Sequence, residues 1–254
     1  MAHLDRKLST PVDFGLIVIG DEVLKGSRTD KHLASFKERL SARGYGMAWY
    51  WVLPDDPDVL TEHLRFSMGQ DAQVFVCGGI GATPDDHTRA CAAAAGGVCL
   101  ERHPEAQSLI EDRFGESAHP YRIRMADLPA GCDLIPNPVN QIPGFSFGGH
   151  WFLPGFPQMA WPMADWVLDR HYGRAASIDE QGLEVLGVPE STLIPLMQKL
   201  GARFPELKMF SLPHLGDSPH VLLGFRGRGG LDQAMDALRE SLSGASIQYR
   251  EPAG

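Results

Sequence analysis

The sequence predicts an α/β domain with a mostly parallel sheet, followed by a small α+β ferredoxin-like domain. In the first half of the chain, short apolar runs alternate with amphipathic segments, which is typical of strands joined by crossover helices. Such crossovers are right-handed and make neighbouring strands parallel. The last ~80 residues instead contain two split strand-helix-strand units, the ferredoxin-like order. We therefore expect two domains, residues 1–173 and 174–254.

In the first domain, the continuous apolar run at 14–19 predicts a strand buried on both faces. Strands are also expected at 47–53, 72–77, 134–136, 144–147 and 150–153. The helix at 30–43 has apolar residues three and four positions apart and stops at Gly44. Further helices are expected at 56–68, 83–95, 104–114 and 157–171. The helix at 83–95 opens with Thr-Pro-Asp-Asp, which offers capping side chains and acids at its positive end.

In the second domain, strands are expected at 182–187, 207–212, 220–225 and 246–249. Helices are expected at 189–204 and 231–242. This alternation completes the two split units of the ferredoxin-like pattern.

Composition narrows the classes of partner. Of 254 residues, 32 are acidic and 23 basic, a formal net charge of −9. This balance argues against nucleic acid and anionic membrane surfaces, which bind basic patches. The four cysteines form no CxxC pair and are expected to be reduced. The polar segment Met1–Asp13 lacks a signal-peptide pattern and no run reaches ~18 apolar residues, so we expect a cytoplasmic protein.

A glycine-rich segment, 78–88, follows the third predicted strand. Gly78, Gly79 and Gly81 allow the backbone to approach a ligand closely, and the helix expected at Thr83 would offer free N–H groups to an anion. Asp85 and Asp86 would repel a bare phosphate. We therefore expect one of them to cap the helix and the other to hold a divalent cation such as Mg²⁺ against phosphate oxygens. The alternative is a glycine turn before an ordinary capped helix.

An acidic segment, 20–30, follows the first predicted strand. Asp21 and Glu22 could be loop acids, and Asp30 could be only a helix N-cap. Both acidic loops should nevertheless meet at the carboxyl edge of the sheet, where open α/β folds bind ligands. The segments 137–145 and 153–157 are rigid, proline-containing loops that suit either a pocket wall or a simple chain reversal.

Four segments in this order resemble the molybdopterin-binding-like domain family, especially its CinA branch. They are Gly20-Asp21-Glu22-Val23-Leu24-Lys25-Gly26 with Asp30, then 78–88, then Asn137-Pro138 with Pro143-Gly144, then Leu153-Pro154-Gly155 with Pro157. The match covers about residues 13–172. The resemblance implies a three-layer α/β sandwich and a homo-oligomer, a dimer or trimer. The tail after residue 174 also resembles a companion domain of this branch.

The resemblance also implies ligands and site residues. Family members bind molybdopterin, adenylylate it with MgATP, or act as pyrophosphatases on ADP-ribose or FAD, with Mg²⁺ or a similar metal beside the phosphates. The expected catalytic residues are Asp86, Asp85 and Asp30, and the expected metal ligands are Asp86 and Asp21. The expected ligand-binding residues are Gly78, Gly79, Gly81, Thr83, Gly20, Asp21, Asn137, Gly144 and Gly155.

The chain departs from the CinA pattern at three places. His32 stands where that branch has Asn, Asn140-Gln141-Ile142 replaces Gly-Thr-Ala, and Met159 replaces a Glu. Two functions stay open: a metal-dependent nucleotide pyrophosphatase or nucleotidyltransferase, and a non-catalytic molybdopterin-binding protein of molybdenum cofactor biosynthesis. A third is a scaffold whose site has decayed.

Overall fold

The structure is a computed structural model that describes residues 14–70, 72–216 and 218–252. The segment Met1–Asp13, in which the sequence shows no signal-peptide pattern, lies outside the described residues. The chain divides into two compact units, one ending at Ala175 and the other beginning at Ala176. Within the described residues, every helix is too short or too polar to cross a bilayer.

The first unit is built on a six-stranded sheet. Its strands are β1 (Phe14–Ile19), β2 (Met47–Leu53), β3 (Gln73–Cys77), β6 (Asp133–Ile135), β7 (Gly144–Phe147) and β8 (His150–Leu153). The order is β2-β1-β3-β8-β7-β6, in which the first four strands are parallel and β7 and β6 are added as antiparallel neighbours. The predicted, mostly parallel sheet is confirmed. Two further short strands, β4 (Leu100–Arg102) and β5 (Asp127–Pro129), pair with each other outside this sheet and were not predicted.

Helices cover both faces of the six-stranded sheet. They are α1 (Asp21–Leu24), α2 (His32–Ser41), α3 (Pro57–Met68), α4 (Thr88–Gly96), α5 (Pro104–Phe114) and α6 (Pro157–His171). Alternate residues of β1 point to opposite faces. Ile17 and Ile19 therefore belong to one core with apolar residues of α3, α4 and α5, whereas Leu16 and Val18 belong to a second core with α2 and α6. These two cores make the unit the predicted three-layer sandwich.

The second unit is an antiparallel α+β fold. It contains β9 (Asp179–Leu186), α7 (Ile194–Arg203), β10 (Lys208–His214), β11 (His220–Gly227), α8 (Leu231–Gly244) and β12 (Tyr249–Arg250). The sheet order is β10-β11-β9-β12. Its two central strands, β11 and β9, are the ones that each lead into a helix, as in a ferredoxin-like fold. Leu183, Val185 and Leu223 pack with apolar residues of α7 and α8 on one face. The last strand begins at Tyr249 and not at Ser246 as predicted.

Candidate functional site

The glycine-rich segment leaves β3 at the carboxyl edge of the sheet, between the ends of two neighbouring strands. The Gly78 amide donates to the Leu153 carbonyl at 3.0 Å. Gly78 has φ +118°, and a Cβ there would lie 2.4 Å from the Ile19 carbonyl oxygen. A Cβ on Gly155 would lie 3.3 Å from the Gly78 Cα. Only glycine therefore fits at position 78, because the ends of β1 and β8 leave no room for a side chain.

Thr88 holds the glycine loop against the start of α4. Its hydroxyl donates to the Gly78 carbonyl at 2.9 Å, and its amide donates to the Gly79 carbonyl at 3.1 Å. The Thr88 side chain is fully buried. A Cβ on Gly79 would come within 2.2 Å of the Thr88 hydroxyl oxygen. These hydrogen bonds hold the backbone of Gly78, Gly79 and Thr88 in one conformation.

The acidic end of this segment differs from the sequence prediction. Asp86 accepts two hydrogen bonds from Thr83, one from the amide at 2.8 Å and one from the hydroxyl at 2.5 Å. The helix α4 begins only at Thr88, and its N-cap, His87, makes no side-chain capping bond. The prediction of a helix from Thr83 capped by Asp85 or Asp86 is therefore wrong. The reason is local, since a carboxylate that closes a turn competes with helix formation.

Arg89 joins the glycine loop at Gly81 to the first residue of β5 and to the segment before it. The guanidinium donates to the Gly81 carbonyl at 2.7 Å and to the Asp127 carbonyl at 3.1 Å, and it also contacts the Arg124 carbonyl. The Arg89 side chain is buried, and this burial lowers the pKa of the guanidinium. Because Arg89 binds the Gly81 carbonyl, this acceptor of the glycine loop points into the protein. This anchoring residue was not among the predicted site residues.

The acidic loop after β1 is joined to the loop after β2. The Gly20 amide donates to the Leu53 carbonyl at 3.1 Å. The Asp21 amide donates to the Asp55 carboxylate at 2.9 Å, and the Asp55 amide donates back to the Asp21 carboxylate at 3.3 Å. Lys25 binds the Asp21 carboxylate at 2.6 Å, which lowers the pKa of Asp21. Asp21 and Asp55 are therefore a reciprocal pair at the carboxyl edge of the sheet.

Asp55 is a candidate site residue that the sequence prediction did not include. Burial raises the pKa of its carboxyl, and the negative charges of Glu22, Asp21 and Asp85 raise it further. Acids of both predicted loops therefore contribute to the raised pKa of Asp55. The signal was present in the sequence, because Asp55 follows a predicted parallel strand just as the other two loops do.

Asp30 has the contacts of a helix cap. Its carboxylate accepts from the amides of His32 at 2.8 Å and Leu33 at 2.9 Å, and from the Tyr50 hydroxyl at 3.1 Å. Asp30 therefore caps the first two amides of α2 from the residue before Lys31, which occupies the N-cap position. Burial, together with Asp30, raises the pKa of Tyr50. A catalytic role for Asp30 stays a prediction.

The third predicted loop, 137–145, contains a buried asparagine side chain whose NH₂ group has no hydrogen-bond partner. Asn137 is 4% exposed; its side-chain oxygen accepts from the Val139 amide at 3.0 Å, and its Nδ2 makes no hydrogen bond. Gly144 lies in the hairpin of β7 and β8, where a Cβ would be 2.3 Å from the Phe152 carbonyl oxygen. Close packing of the two strands thus accounts for the glycine at 144, while Asn137 keeps an unused donor.

A cavity of about 590 Å³ opens beside the glycine loop. It lies among the ends of β1 and β3, the segment between α1 and α2, and the N-terminal part of α6. Its lining includes the side chains Glu22, Arg28, Asp30, Lys31, His32 and Trp161. A groove of about 700 Å³ between β2 and α3, lined by Tyr50, Trp51 and Phe66 among others, includes none of the predicted site residues.

The carboxylates of Asp21 and Asp55 suit a cation whose coordination shell is completed by the phosphate of a bound ligand. Among the described residues, no group of three or more His, Cys, Asp or Glu side chains is arranged as a metal site. Mg²⁺, however, is usually bound by one or two carboxylates together with water and substrate phosphates. Asp21 and Asp55 supply oxygen donors of this kind, and a cation would relieve the repulsion that Asp55 experiences. The residues therefore fit a magnesium-type ion held jointly with a phosphate.

The fold and the loops define an α/β protein whose glycine-rich and acidic loops meet at the carboxyl edge of a parallel sheet. The chain belongs to the family described as a probable molybdopterin binding domain, whose model matches residues 15–171. The resemblance recognised in the sequence is thereby confirmed.

Among similar proteins, a CinA-like protein of Citrifermentans bemidjiense is 32% identical over 241 residues, 90% of this chain and 58% of the relative. A similar CinA-like protein of a Geobacter species is matched over 57% of its length, so this chain spans little more than half of these relatives. A crystal structure of the protein CinA with unknown function from Thermoplasma acidophilum superposes with a TM-score of 0.57 at 29% identity, covering 62% of this chain and 96% of that one. This is therefore a CinA-like molybdopterin-binding-domain protein.

Proposed function

We propose that the first unit binds a phosphorylated nucleotide or pterin at the glycine loop and hydrolyses a phosphoanhydride bond in it with a divalent cation. The observation that carries this proposal is the position of Asp55. Its carboxylate exchanges hydrogen bonds with Asp21 and is exposed to the negative charges of Glu22 and Asp85. Acids concentrated beside an anion-binding backbone need a cation between them and the phosphate.

The residues of the two loops have separate roles in the proposed hydrolysis. The phosphate binds at the glycine loop, whose Gly78–Gly79 backbone is fixed at the sheet edge by Thr88. Asp21 and Asp55 hold the cation, and Lys25 keeps the Asp21 carboxylate ionised. A bound divalent ion neutralises charge on the phosphate oxygens. Water then attacks phosphorus, the anhydride P–O bond breaks, and the two hydrogens of the water are released as two protons when both phosphate monoester products become dianions.

Release of AMP from ADP-ribose or FAD in the presence of Mg²⁺, Mn²⁺ or Co²⁺ tests this proposal. We expect Asp55→Asn to abolish release while keeping the hydrogen bond from the Asp21 amide, because an amide oxygen still accepts. Asp58→Asn, at an exposed position of α3, is the matched control and should retain activity. The absence of turnover by the unmodified chain across all three metals would contradict the proposal.

The second candidate is a binding protein for molybdopterin or a related pterin phosphate, without catalysis. It is favoured by Met159, a thioether at the position where the CinA pattern has a carboxylate. Calorimetry with a pterin monophosphate in the presence of a chelator tests it. Tight binding without metal, together with no hydrolysis, would support this candidate, and the absence of pterin affinity would remove it.

A further inference from the structure

The strand β2 forms an edge of the six-stranded sheet and lacks the usual protection of an edge. Among the described residues, β2 pairs with β1 alone, so its outer side has no strand partner there. Natural edge strands are commonly very short or carry a charged residue or a proline, which prevents pairing with another chain. The strand β2 spans seven residues and includes neither a charged residue nor a proline.

The other edge strands of the two larger sheets do have such protection. The opposite edge of the same sheet, β6, has only three residues and begins with Asp133. In the second unit, β10 includes Lys208 and Pro213, and β12 has two residues, one of which is Arg250. An edge without these features favours pairing with another strand, and β2 is such an edge.

The regular part of β2 directs the backbone groups of two residues outward. The Gly20 amide donates to the Leu53 carbonyl, so the backbone groups of Leu53 face β1. Backbone groups alternate in direction along a strand, so the N–H and C=O groups of Tyr50 and Val52 face the open side. The pairing with β1 is in regular register only from Trp49 onward. The edge that can accept another strand therefore runs from Trp49 to Leu53.

An aromatic surface lies beside this edge. The Trp51 ring stacks on Trp49 with the centroids 4.3 Å apart, and its centroid is 6.0 Å from that of Phe66 on α3. Phe66 is 60% exposed. The groove of about 700 Å³ between β2 and α3 is lined by Trp51, Phe66 and the last residues of the strand, among others. The helix α3 thus leaves the edge of β2 open, with apolar side chains next to it.

We propose that β2 pairs in antiparallel orientation with β2 of a second copy of this chain, around a two-fold axis at Trp51. The strand is self-complementary in this register. Tyr50 lies opposite Val52 of the second copy, and these two residues exchange backbone hydrogen bonds. Trp49 lies opposite Leu53 in the same way. The two Trp51 residues meet at a non-hydrogen-bonded position, where side chains on neighbouring strands are closest.

This register explains why the occupant is a second copy. Identical surfaces that match each other form a closed dimer and need no other partner. Because no residue of β2 is charged, the pairing brings no like charges of the two strands together. The contact uses none of the residues of the glycine loop, so the inference does not depend on the proposed function.

Sedimentation velocity over a range of protein concentrations tests the inference, and we expect the unmodified chain to form a dimer. Val52→Pro removes an N–H that β1 does not use, so the pairing within the sheet should survive. Each dimer would lose two hydrogen bonds, which predicts a dissociation constant about 5- to 160-fold higher. Val52→Ala keeps the N–H and is the matched control, which should dimerise more tightly than Val52→Pro.

Phe66→Glu keeps the test open if Val52→Pro does not fold, as circular dichroism of each variant would show. It places a charge beside the paired strands and should shift the chain to the monomer. Leu100→Glu, at another exposed apolar position, should remain a dimer. A monomer at every concentration measured, a trimer, or a dimer unaffected by both Val52→Pro and Phe66→Glu would overturn the inference. These measurements use no ligand or metal, so they leave the proposed function to its own test.

Discussion

The Asn140 side chain donates a hydrogen bond to the Met159 sulfur, with Nδ2 and Sδ 3.1 Å apart. Its oxygen accepts from the Ile142 amide at 3.0 Å, so the Asn140 side chain is held at both ends. Asn140 and Met159 are two of the positions at which the chain departs from the CinA pattern. Because the two replaced side chains contact each other, they form one altered unit next to the first turn of α6.

Met159→Glu is expected to give a folded protein with higher metal-dependent hydrolysis. A carboxylate would accept a stronger, charge-assisted hydrogen bond from Asn140 than a thioether does. It would also lie in the first turn of α6, where a negative charge stabilises a helix by about 0.3–1 kcal/mol. The measurements are the melting temperature and the rate of AMP release from ADP-ribose.

Met159→Gln is the control for Met159→Glu, since it keeps the polar acceptor without the charge. An equal rate for the two variants would show that the carboxylate adds nothing to hydrolysis. The binding-protein candidate would then gain support over the enzyme.

Asp55→Asn is expected to stabilise the protein when divalent cations are absent. Because the pKa of Asp55 is raised in the folded state, its contribution to stability is present below its unfolded pKa and is lost as pH rises through the folded pKa. At neutral pH the ionised carboxylate therefore destabilises the fold. Adding Mg²⁺ should raise the melting temperature of the unmodified protein, because an ion that binds only the native state stabilises it.

Asp55→Asn should show a much smaller rise in melting temperature with Mg²⁺ than the unmodified protein, because one of the carboxylates that hold the cation is removed. Asp58→Asn should respond to Mg²⁺ as the unmodified protein does. Identical melting temperatures with and without Mg²⁺ in the unmodified protein would argue against a cation at Asp55.

The Thr83–Asp86 turn gives a test of what Asp86 does. If Asp86 acts by holding Thr83, then Asp86→Ala and Thr83→Val should each weaken ligand binding, by about 10- to 100-fold for the loss of charge-assisted hydrogen bonds. Thr83→Val removes only the bond from the hydroxyl, whereas Asp86→Ala removes that bond and the one from the amide, so the double variant should be no worse than Asp86→Ala alone. Calorimetry with AMP and Mg²⁺ measures this directly.

A different result would indicate that Asp86 binds the cation directly, as the sequence predicts. In that case Thr83→Val would bind almost normally, whereas Asp86→Ala would lose its dependence on Mg²⁺. The role of Asp86 as a metal ligand stays a prediction until that comparison is made.

The sheet was predictable because its signal is local. The apolar runs that became β1 and β3 have no polar residue between Phe14 and Ile19 or between Val74 and Cys77, and their short length is typical of buried strands. The start of α4 was not predictable in the same way. Thr-Pro-Asp-Asp satisfies every rule for a helix N-terminus, but the bond from Thr83 to Asp86 forms a separate turn and delays the helix.

The candidate site was predicted only in part, because part of it depends on which strands are neighbours. Asp21 and the glycine loop follow β1 and β3, and the shared carboxyl edge of these parallel strands was expected from the sequence. Asp55 follows β2, which lies directly beside β1, but the exchange of hydrogen bonds between Asp55 and Asp21 depends on the conformation of both loops, which the order of strands does not fix. The partners of Asn140 and Trp161 likewise come from residues distant in the chain, and no spacing rule reveals them.

His150 is expected to make the protein less stable in mild acid. Its ring is buried between the Ser67 hydroxyl, 2.7 Å from Nε2, and the Gly148 carbonyl, 2.9 Å from Nδ1. Burial lowers the pKa of His150 from 6.5 to about 4. Between these two values the unfolded chain binds a proton and the folded chain does not, so the free energy of unfolding falls as pH falls through that range.

From pH 7 to pH 5 this loss amounts to about 2 kcal/mol. Denaturant unfolding at several pH values measures it, and His150→Gln removes the titrating group while keeping a donor and an acceptor. The variant can be less stable at every pH, so the informative quantity is the change in unfolding free energy with pH. Burial of His32 also lowers its pKa, and that contribution remains in both proteins. The difference in slope therefore isolates His150, and equal slopes for the two proteins would contradict its assignment as a neutral buried histidine.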